Sequence, residues 1–374
     1  VYPIPEAGPA VGYYSLRFGS AGAEQAFDAA LRGQAVGFWA ELWRRMLDAP
    51  LAGRDVRLAL DARRQVVAAD AMAGYTGGLA LLELTRKGEG QEAAVRALVS
   101  SPAYDPNLLD EQFEMLAAGD PGPLFNRAAQ GLYQPGLTVQ PFLIAAALED
   151  NALALDTPLE GVAAPVALDG QVQRCADALP ALAQPTWADM AVMRCPGPVL
   201  DLGNELGPGA LEDIFERFRL STVPALAIPA SAGVGDVEDP GLAAIGQDRL
   251  TVSPLQAAAA TAALAGDGRV PPLHLVEAVA GVDGAWEAWP LATNPQLAVS
   301  AATAAAARDT WPRTGNVAEF VVSALAGPGG QRNTWYLGFA PADAPRYVVA
   351  LVLENTNDLA TAARIGQAAL SGTE

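Results

Sequence analysis

The amino-acid sequence predicts an α/β (α+β) fold, a central, mostly antiparallel sheet flanked by helices. Three observations carry this. Near the C-terminus three runs rich in β-branched and aromatic residues, "VAEFVVSAL" (317–325), "NTWYLGFAP" (333–341) and "RYVVALVLEN" (346–355), follow one another with only turn residues between them, the pattern of an antiparallel meander. Nearer the start, "GGLALLELTRKGEGQEAAVRALVS" (77–100) reads as a β-hairpin turning at "RKGEG", with Lys87 at its tip. Around and between these lie amphipathic or alanine-rich segments with helix caps. A sheet this apolar must be covered by helices.

Taken in order, the chain opens with a glycine-punctuated segment, "YYSLRFGSAGAEQAFDAALRG" (13–33). It leads into "AVGFWAELWRRMLDAP" (35–50), where Phe38, Leu42, Met46 and Leu47 recur at helical spacing. This first part, 1–50, is expected to be a linker or pedestal remnant, and 51–374 a single larger domain. "DVRLALDARRQVVAADAMAG" (55–74) predicts a strand, Asp61 as N-cap, and a helix closed by Gly74. After the loop "SPAYDPN" (101–107) a mostly helical stretch is expected to about Asp150, then loops and small strands to about Pro198. "GNELGPGALEDIFERFRL" (203–220) predicts one helix, and Pro224 to Gly246 a long loop. In "TVSPLQAAAATAALAGDG" (251–268) Ser253 is the N-cap, Pro254 the first helical residue and Gly266 the C-terminal stop. A last helix, "DLATAARIGQAALSG" (358–372), follows the meander.

Composition narrows the chemistry. The 374 residues are 51% hydrophobic, enough to bury a large core without metals or a disulfide framework. A formal charge of -19 excludes nucleic acid and anionic membrane surfaces as partners. No run reaches the roughly 18–20 apolar residues of a membrane span. Cys175 and Cys195 are too few for a zinc site and leave a single bridge between them open. Lys87 is the only lysine and His274 the only histidine. Arginine cannot act as a base, so a metal site needing two imidazoles is excluded by counting, and no metal or cofactor is expected. A serine activated by a lysine one helical turn later is also absent, because Leu84 stands three residues before Lys87.

The landmarks, in their order, resemble the transpeptidase domain of the class B penicillin-binding proteins, within the serine β-lactamase and transpeptidase superfamily. The resemblance is carried by "GYYSLRFGSAGAEQAFDAALRG", "SSPAYDPN", "NRAAQGLYQPG" (126–136), "TVSPLQAAAATAALAGDGRVPP", "WPRTGNVAE" (311–319) and "WYLGFAPADAPRYVVALVLEN". These cover nearly the whole chain and imply the penicillin-binding, β-lactamase-like fold.

The resemblance also shows what is missing. The family's nucleophilic serine and its lysine base match Leu137 and Gln140, in "YQPGLTVQ". Its Ser-x-Asn motif falls on Arg194, Cys195 and Pro196. Its Lys-Thr-Gly motif, on the innermost strand of the family's sheet, falls on Arg313, Thr314 and Gly315. Arg313 keeps a charge for a carboxylate and Gly315 keeps the backbone open, so Arg313, Thr314, Gly315 and Asn316 are the expected ligand-binding residues. Backbone amides of Leu137 and Asn316 or Val317 would form what is left of an oxyanion hole. The implied function is a catalytically inactive homologue, a binding or scaffolding component of peptidoglycan assembly. Such a protein sits on the extracytoplasmic face of the membrane through an N-terminal anchor outside this sequence. Its partners would be a peptidoglycan stem peptide or cell-wall assembly proteins such as a membrane glycosyltransferase. The alternative is a D,D-transpeptidase or hydrolase with a non-standard nucleophile, Cys195 or Thr138.

Overall fold

Alternation along the apolar strands decides the architecture. The computed structural model describes residues 1–34, 42, 46, 53–87, 90–119, 122–168, 170–177, 184–281, 284–327 and 329–372. Seven strands form the central sheet: β1 (Gly77–Lys87), β2 (Gly90–Ser101), β3 (Leu273–His274), β4 (Arg313–Thr314), β5 (Val317–Leu325), β6 (Arg332–Ala340) and β7 (Tyr347–Leu353). Their order is β4-β5-β6-β7-β1-β2-β3, antiparallel throughout except for the parallel pair β2 and β3. The predicted hairpin and meander are therefore neighbours, joined where β7 pairs with β1.

Because side chains alternate across a strand, each central strand feeds two cores. Leu79, Leu81, Val349, Leu351 and Leu353 point to one face, where Met72, Ile365 and Leu370 cover them. That cover comes from helices α1 (Ala62–Ala71) and, at the chain end, Leu359–Ser371. Ala80, Leu82, Val348, Ala350 and Val352 point to the other face and join the larger core. There lie α2 (Gln140–Glu149), α3 (Trp187–Met193), α4 (Pro196–Leu206), α5 (Pro208–Arg217) and α6 (Pro254–Ala265), while the C-terminal helix Leu359–Ser371 is α7. Every residue of α6 is buried, and its many alanines let the helix lie close against β1 and β7.

The predicted caps form. The Asp61 carboxylate accepts from the Arg63 and Arg64 amides, and Ser253 with Gln256 makes a reciprocal capping box. Each such cap is worth about 1 kcal/mol. The N-terminal segment is fastened by side chains of the recognised landmarks. Tyr104 Oη donates to the Gly8 carbonyl (3.1 Å), Asn126 Nδ2 to Pro9 (2.9 Å) and Gln65 Nε2 to Glu6 (2.9 Å).

Several expectations need correction. The single helix over 203–220 is two, because Gly207 adopts φ +76 and Pro208 restarts the chain as the first residue of α5. The helical stretch before Asp150 consists, among the described residues, of Leu109–Ala118 and α2, which is preceded by the one-turn helix Gly136–Val139. The loop region 151–198 holds α3, whose Thr186–Asp189 capping box was a readable signal. The long loop after Pro224 contains the short helix Pro240–Ala244. The helical spacing of Phe38 and Leu47 and the tip of the 77–100 hairpin fall outside the described residues.

Candidate active site

The Pro-Gly turn before Leu137 is held by close backbone approach. Gly136 has φ +55, and a Cβ there would lie 2.6 Å from Ala324 Cβ on β5. Its amide donates to the Gly246 carbonyl (3.0 Å), while Trp335 Nε1 donates to the carbonyl of Gln134 (3.0 Å). Only glycine satisfies both the left-handed conformation and the contact. The turn is thus pinned to the middle of the fold, and the one-turn helix Gly136–Val139 runs from it into α2.

Leu137 packs against the larger core and lines a cavity of about 20 Å³ with Gly136, Gln173, Pro196, Ile245, Gln247 and Ser323. One water needs about 10–15 Å³ of such space, so the cavity admits a water or two and no peptide. Leu137 and Pro196 are brought together here, as the resemblance implies.

Gln140 is fully buried. Its Nε2 donates to the Ala191 carbonyl (3.3 Å) and weakly to Met190 Sδ (3.6 Å), while its Oε1 has no partner among the described residues. An amide neither takes nor gives a proton at working pH. Arg194 ends α3 in the left-handed region (φ 53°, ψ 56°). Its guanidinium is buried, pairs with Asp177 and lies 5.7 Å from the centroid of Phe320 on β5. Burial pulls the arginine's pKa down against the opposing charge of Asp177.

Both candidate substitute nucleophiles are engaged in other contacts. Cys195 is completely buried and disulfide-bonded to Cys175, so it has no thiolate to offer. Thr138 is buried, and its Oγ1 donates to the Pro135 carbonyl at 2.6 Å. His274 lies on β3, at the opposite edge of the sheet from β5. Five strand spacings separate them, about 24 Å at 4.8 Å each. It is too far away to act on Thr138 or Cys195.

The expected ligand-binding residues are not in this cleft. Arg313 and Thr314 form β4, the outermost strand, which folds back on β5 through a tight turn with Gly315 at φ +59. Residues 313–316 are exposed. Arg313 pairs with Asp343 (2.6 Å) and Asp309 (3.4 Å), Thr314 Oγ1 donates to Glu319 (2.6 Å), and the Asn316 carbonyl accepts from the Ala342 amide (2.9 Å). From Val317 to Ser323, which shares the cavity with Leu137, is about 20 Å along the strand. The structure therefore does not bring Arg313–Asn316 to Leu137.

Three residues that sequence reading missed occupy the place instead. Arg332 Nη1 donates to Gln173 Oε1 (3.0 Å) and to Ser323 Oγ (3.1 Å). The bridge ties the small hairpin Val166–Leu168/Gln171–Gln173 to the sheet across the cleft. The only available signal was a lone hydroxyl, Ser323, inside an apolar strand.

Comparison with known proteins gives one consistent result. The family model "Penicillin binding protein transpeptidase domain" matches residues 89–163 and 197–371. The chain is 31% identical over 419 residues to "Peptidoglycan D,D-transpeptidase PbpA" of Mycolicibacterium smegmatis, covering 99% of this chain and 83% of the relative. It is also 31% identical to the protein of that name from Mycobacterium tuberculosis, with the same coverage. Among solved structures it is similar to penicillin-binding protein A from M. tuberculosis in its imipenem acyl-enzyme complex, with TM-score 0.85, 27% identity, and coverage of 100% of this chain and 92% of that one. The gap between the two matched stretches holds the hairpin, both cysteines and α3. Fold, order of landmarks and family match agree: the chain belongs to the penicillin-binding protein transpeptidase-domain family.

Proposed function

We propose that this protein is a catalytically inactive member of its family, a pseudo-transpeptidase that serves peptidoglycan assembly as a binding or scaffolding component. The observation that carries the reading is the chemistry at Leu137, a half-buried leucine packed against the larger core. No nucleophile stands there, no base lies one turn later, and the space in front is about 20 Å³. Losing nucleophile and base together costs on the order of six powers of ten in rate, leaving only what binding contributes.

The names of the relatives favour the second reading, a working D,D-transpeptidase or hydrolase. That reading needs a nucleophile, and the burial of Thr138 and the disulfide at Cys195 weigh against both candidates. On the first reading, Ser323 and Ala324 are the β5 residues beside the Leu137 turn, Ser323 lining its cavity and Ala324 against Gly136. A disulfide fits an extracytoplasmic location, with an anchor preceding this segment. Among the described residues no helix is long and apolar enough to cross a membrane. Residues 1–50 would then be a linker or pedestal remnant and 51–374 the transpeptidase-like domain. Partners would be cell-wall assembly proteins, including a membrane glycosyltransferase, and a stem peptide could bind only away from Leu137.

The test is intact mass after incubation with a fluorescent penicillin, beside an active relative. No adduct at saturating drug is expected. A stoichiometric adduct overturns the proposal, and peptide mapping then names the nucleophile.

A further inference from the structure

A cavity of about 130 Å³ sits at the hairpin end of β1 and β2, where the last residues of α6 and of helix Ala301–Arg308 reach the sheet. It shares no residue with the space in front of Leu137. Arg86 and Gln91 are register partners across the hairpin, so their side chains leave the same face with Cβ atoms about 5 Å apart. The next pair on that face, Leu84 and Ala93, belongs to the larger core. Arg308 arrives from the opposite wall, where its Nη1 donates to the carbonyl of Ala265, the last residue of α6 (3.0 Å). Gly266 follows, and a Cβ there would lie 2.2 Å from Gln91 Oε1, so the glycine makes the place that the carboxamide occupies.

Two features of the lining select a ligand. The first is charge. Arg86 and Arg308 are its charged residues, and neither has a carboxylate partner among the described residues. The acids beside them in sequence are turned elsewhere: Asp309 pairs with Arg313 (3.4 Å), and Asp267 accepts from the Arg269 amide (3.3 Å). In a chain of net charge -19, two uncompensated guanidiniums around one small space form a local positive field. The second feature is Gln91, only 5% exposed, whose Oε1 is buried without a partner among the described residues. A buried acceptor is costly until a donor reaches it. The arginines therefore call for a doubly charged oxyanion, and the glutamine calls for one that carries its own O–H. Sulfate has the charge without the proton, and bicarbonate the proton with a single charge. A phosphomonoester, with its second pKa at about 6, has lost its proton by neutral pH. Monohydrogen phosphate has both. The volume lies below the roughly 300–1,000 Å³ of pockets for organic ligands and suits a single ion.

We propose that this cavity binds inorganic phosphate as monohydrogen phosphate, its oxygens accepting from Arg86 and Arg308 and its hydroxyl donating to Gln91 Oε1. The site is independent of any chemistry at Leu137.

The test titrates sodium phosphate into the protein by calorimetry at pH 7.5, beside sulfate, bicarbonate and glycerol 1-phosphate at matched ionic strength. It is repeated with Arg86→Gln, at an exposed side chain, and with Gln91→Leu, which keeps the volume and removes the acceptor. Saturable phosphate binding with Kd below about 5 mM is expected, about ten-fold tighter than any of the other three anions. Arg86→Gln should weaken it about ten-fold with an unchanged melting temperature, and Gln91→Leu should erase the preference for phosphate over sulfate. No saturation by about 50 mM, equal affinity in Arg86→Gln, or binding of sulfate, bicarbonate or glycerol 1-phosphate as tight as that of phosphate overturns the site. A penicillin adduct would overturn the inactive reading and leave this one standing, so the two failures are distinguishable.

Discussion

Two regions a few ångströms apart contrast sharply: the support behind the Leu137 turn and the mouth in front of it. Behind it, Gly136 lies against Ala324, Gly246 receives its amide, and Trp335 holds the carbonyl of Gln134. In front of it stand a half-buried leucine, a buried glutamine, a capping arginine and a proline, Leu137, Gln140, Arg194 and Pro196. Every supporting contact is made by backbone, by an apolar side chain or by the indole N–H of Trp335, so it stabilises the fold whatever chemistry occurs. The mouth carries only chemistry, and its residues are free to become packing. Architecture and reactivity are thus separable in this fold down to adjacent residues.

The strongest way to break that contrast is Gln140→Lys. A lysine at this fully buried position would have a sulfur and a carbonyl as neighbours and no carboxylate. It should cost at least about 3–5 kcal/mol, read from urea unfolding. A variant as stable as the parent would mean that the pocket still accommodates the catalytic charge. Next comes reduction of Cys175–Cys195, which closes a sequence separation of 20 residues. Its loss should lower stability by about 3 kcal/mol, measured with and without a phosphine reductant, while the seven-stranded core persists. Gly136→Ala tests the support itself. Strain at φ +55 plus the 2.6 Å contact should cost about 2 kcal/mol in thermal unfolding.

Smaller effects sharpen the comparison from outside the cleft. Burial works to raise the Glu83 pKa, but the hydrogen bonds and charges of Arg96 and Arg346 outweigh it and hold it below 4.5. A depressed carboxylate stabilises the fold above its unfolded value, about 4.3, and loses that contribution as pH falls through the folded value. Acid unfolding should therefore steepen below about pH 4.3, and Glu83→Gln should flatten it. The least effect belongs to Arg313→Ala. Its ion pairs are exposed, so a change within about 0.5 kcal/mol is expected, with no effect on ligand binding at the cleft.

Much of the fold was legible because it is local. The meander and the 77–100 hairpin follow from alternation, and Asp61 and Ser253 announce helix starts that the structure confirms. Gly207 was visible too, but its role as a break rather than an interior residue depends on a positive φ that helical spacing does not report. Leu137 and Gln140 were legible as departures because the Pro-Gly turn fixes their place. Arg313 was not, since the letters "RTG" match a motif while only strand pairing tells how far along β5 the turn at Gly136 lies. The Gln173–Arg332–Ser323 bridge joins residues 159 apart, and nothing in composition encodes such a meeting.

Pro196 carries a consequence for descent. It opens α4 directly after a half-cystine, with Arg194 already committed to Asp177 on the other side. On the inactive reading proposed above, serine at 137, lysine at 140 or asparagine at 196 introduced alone would restore no activity, and the lysine would bury an unpaired charge. Selection would meet a loss of stability before any gain in rate. On that reading, a path to an active enzyme needs several substitutions together, and the fold acts as an evolutionary ratchet.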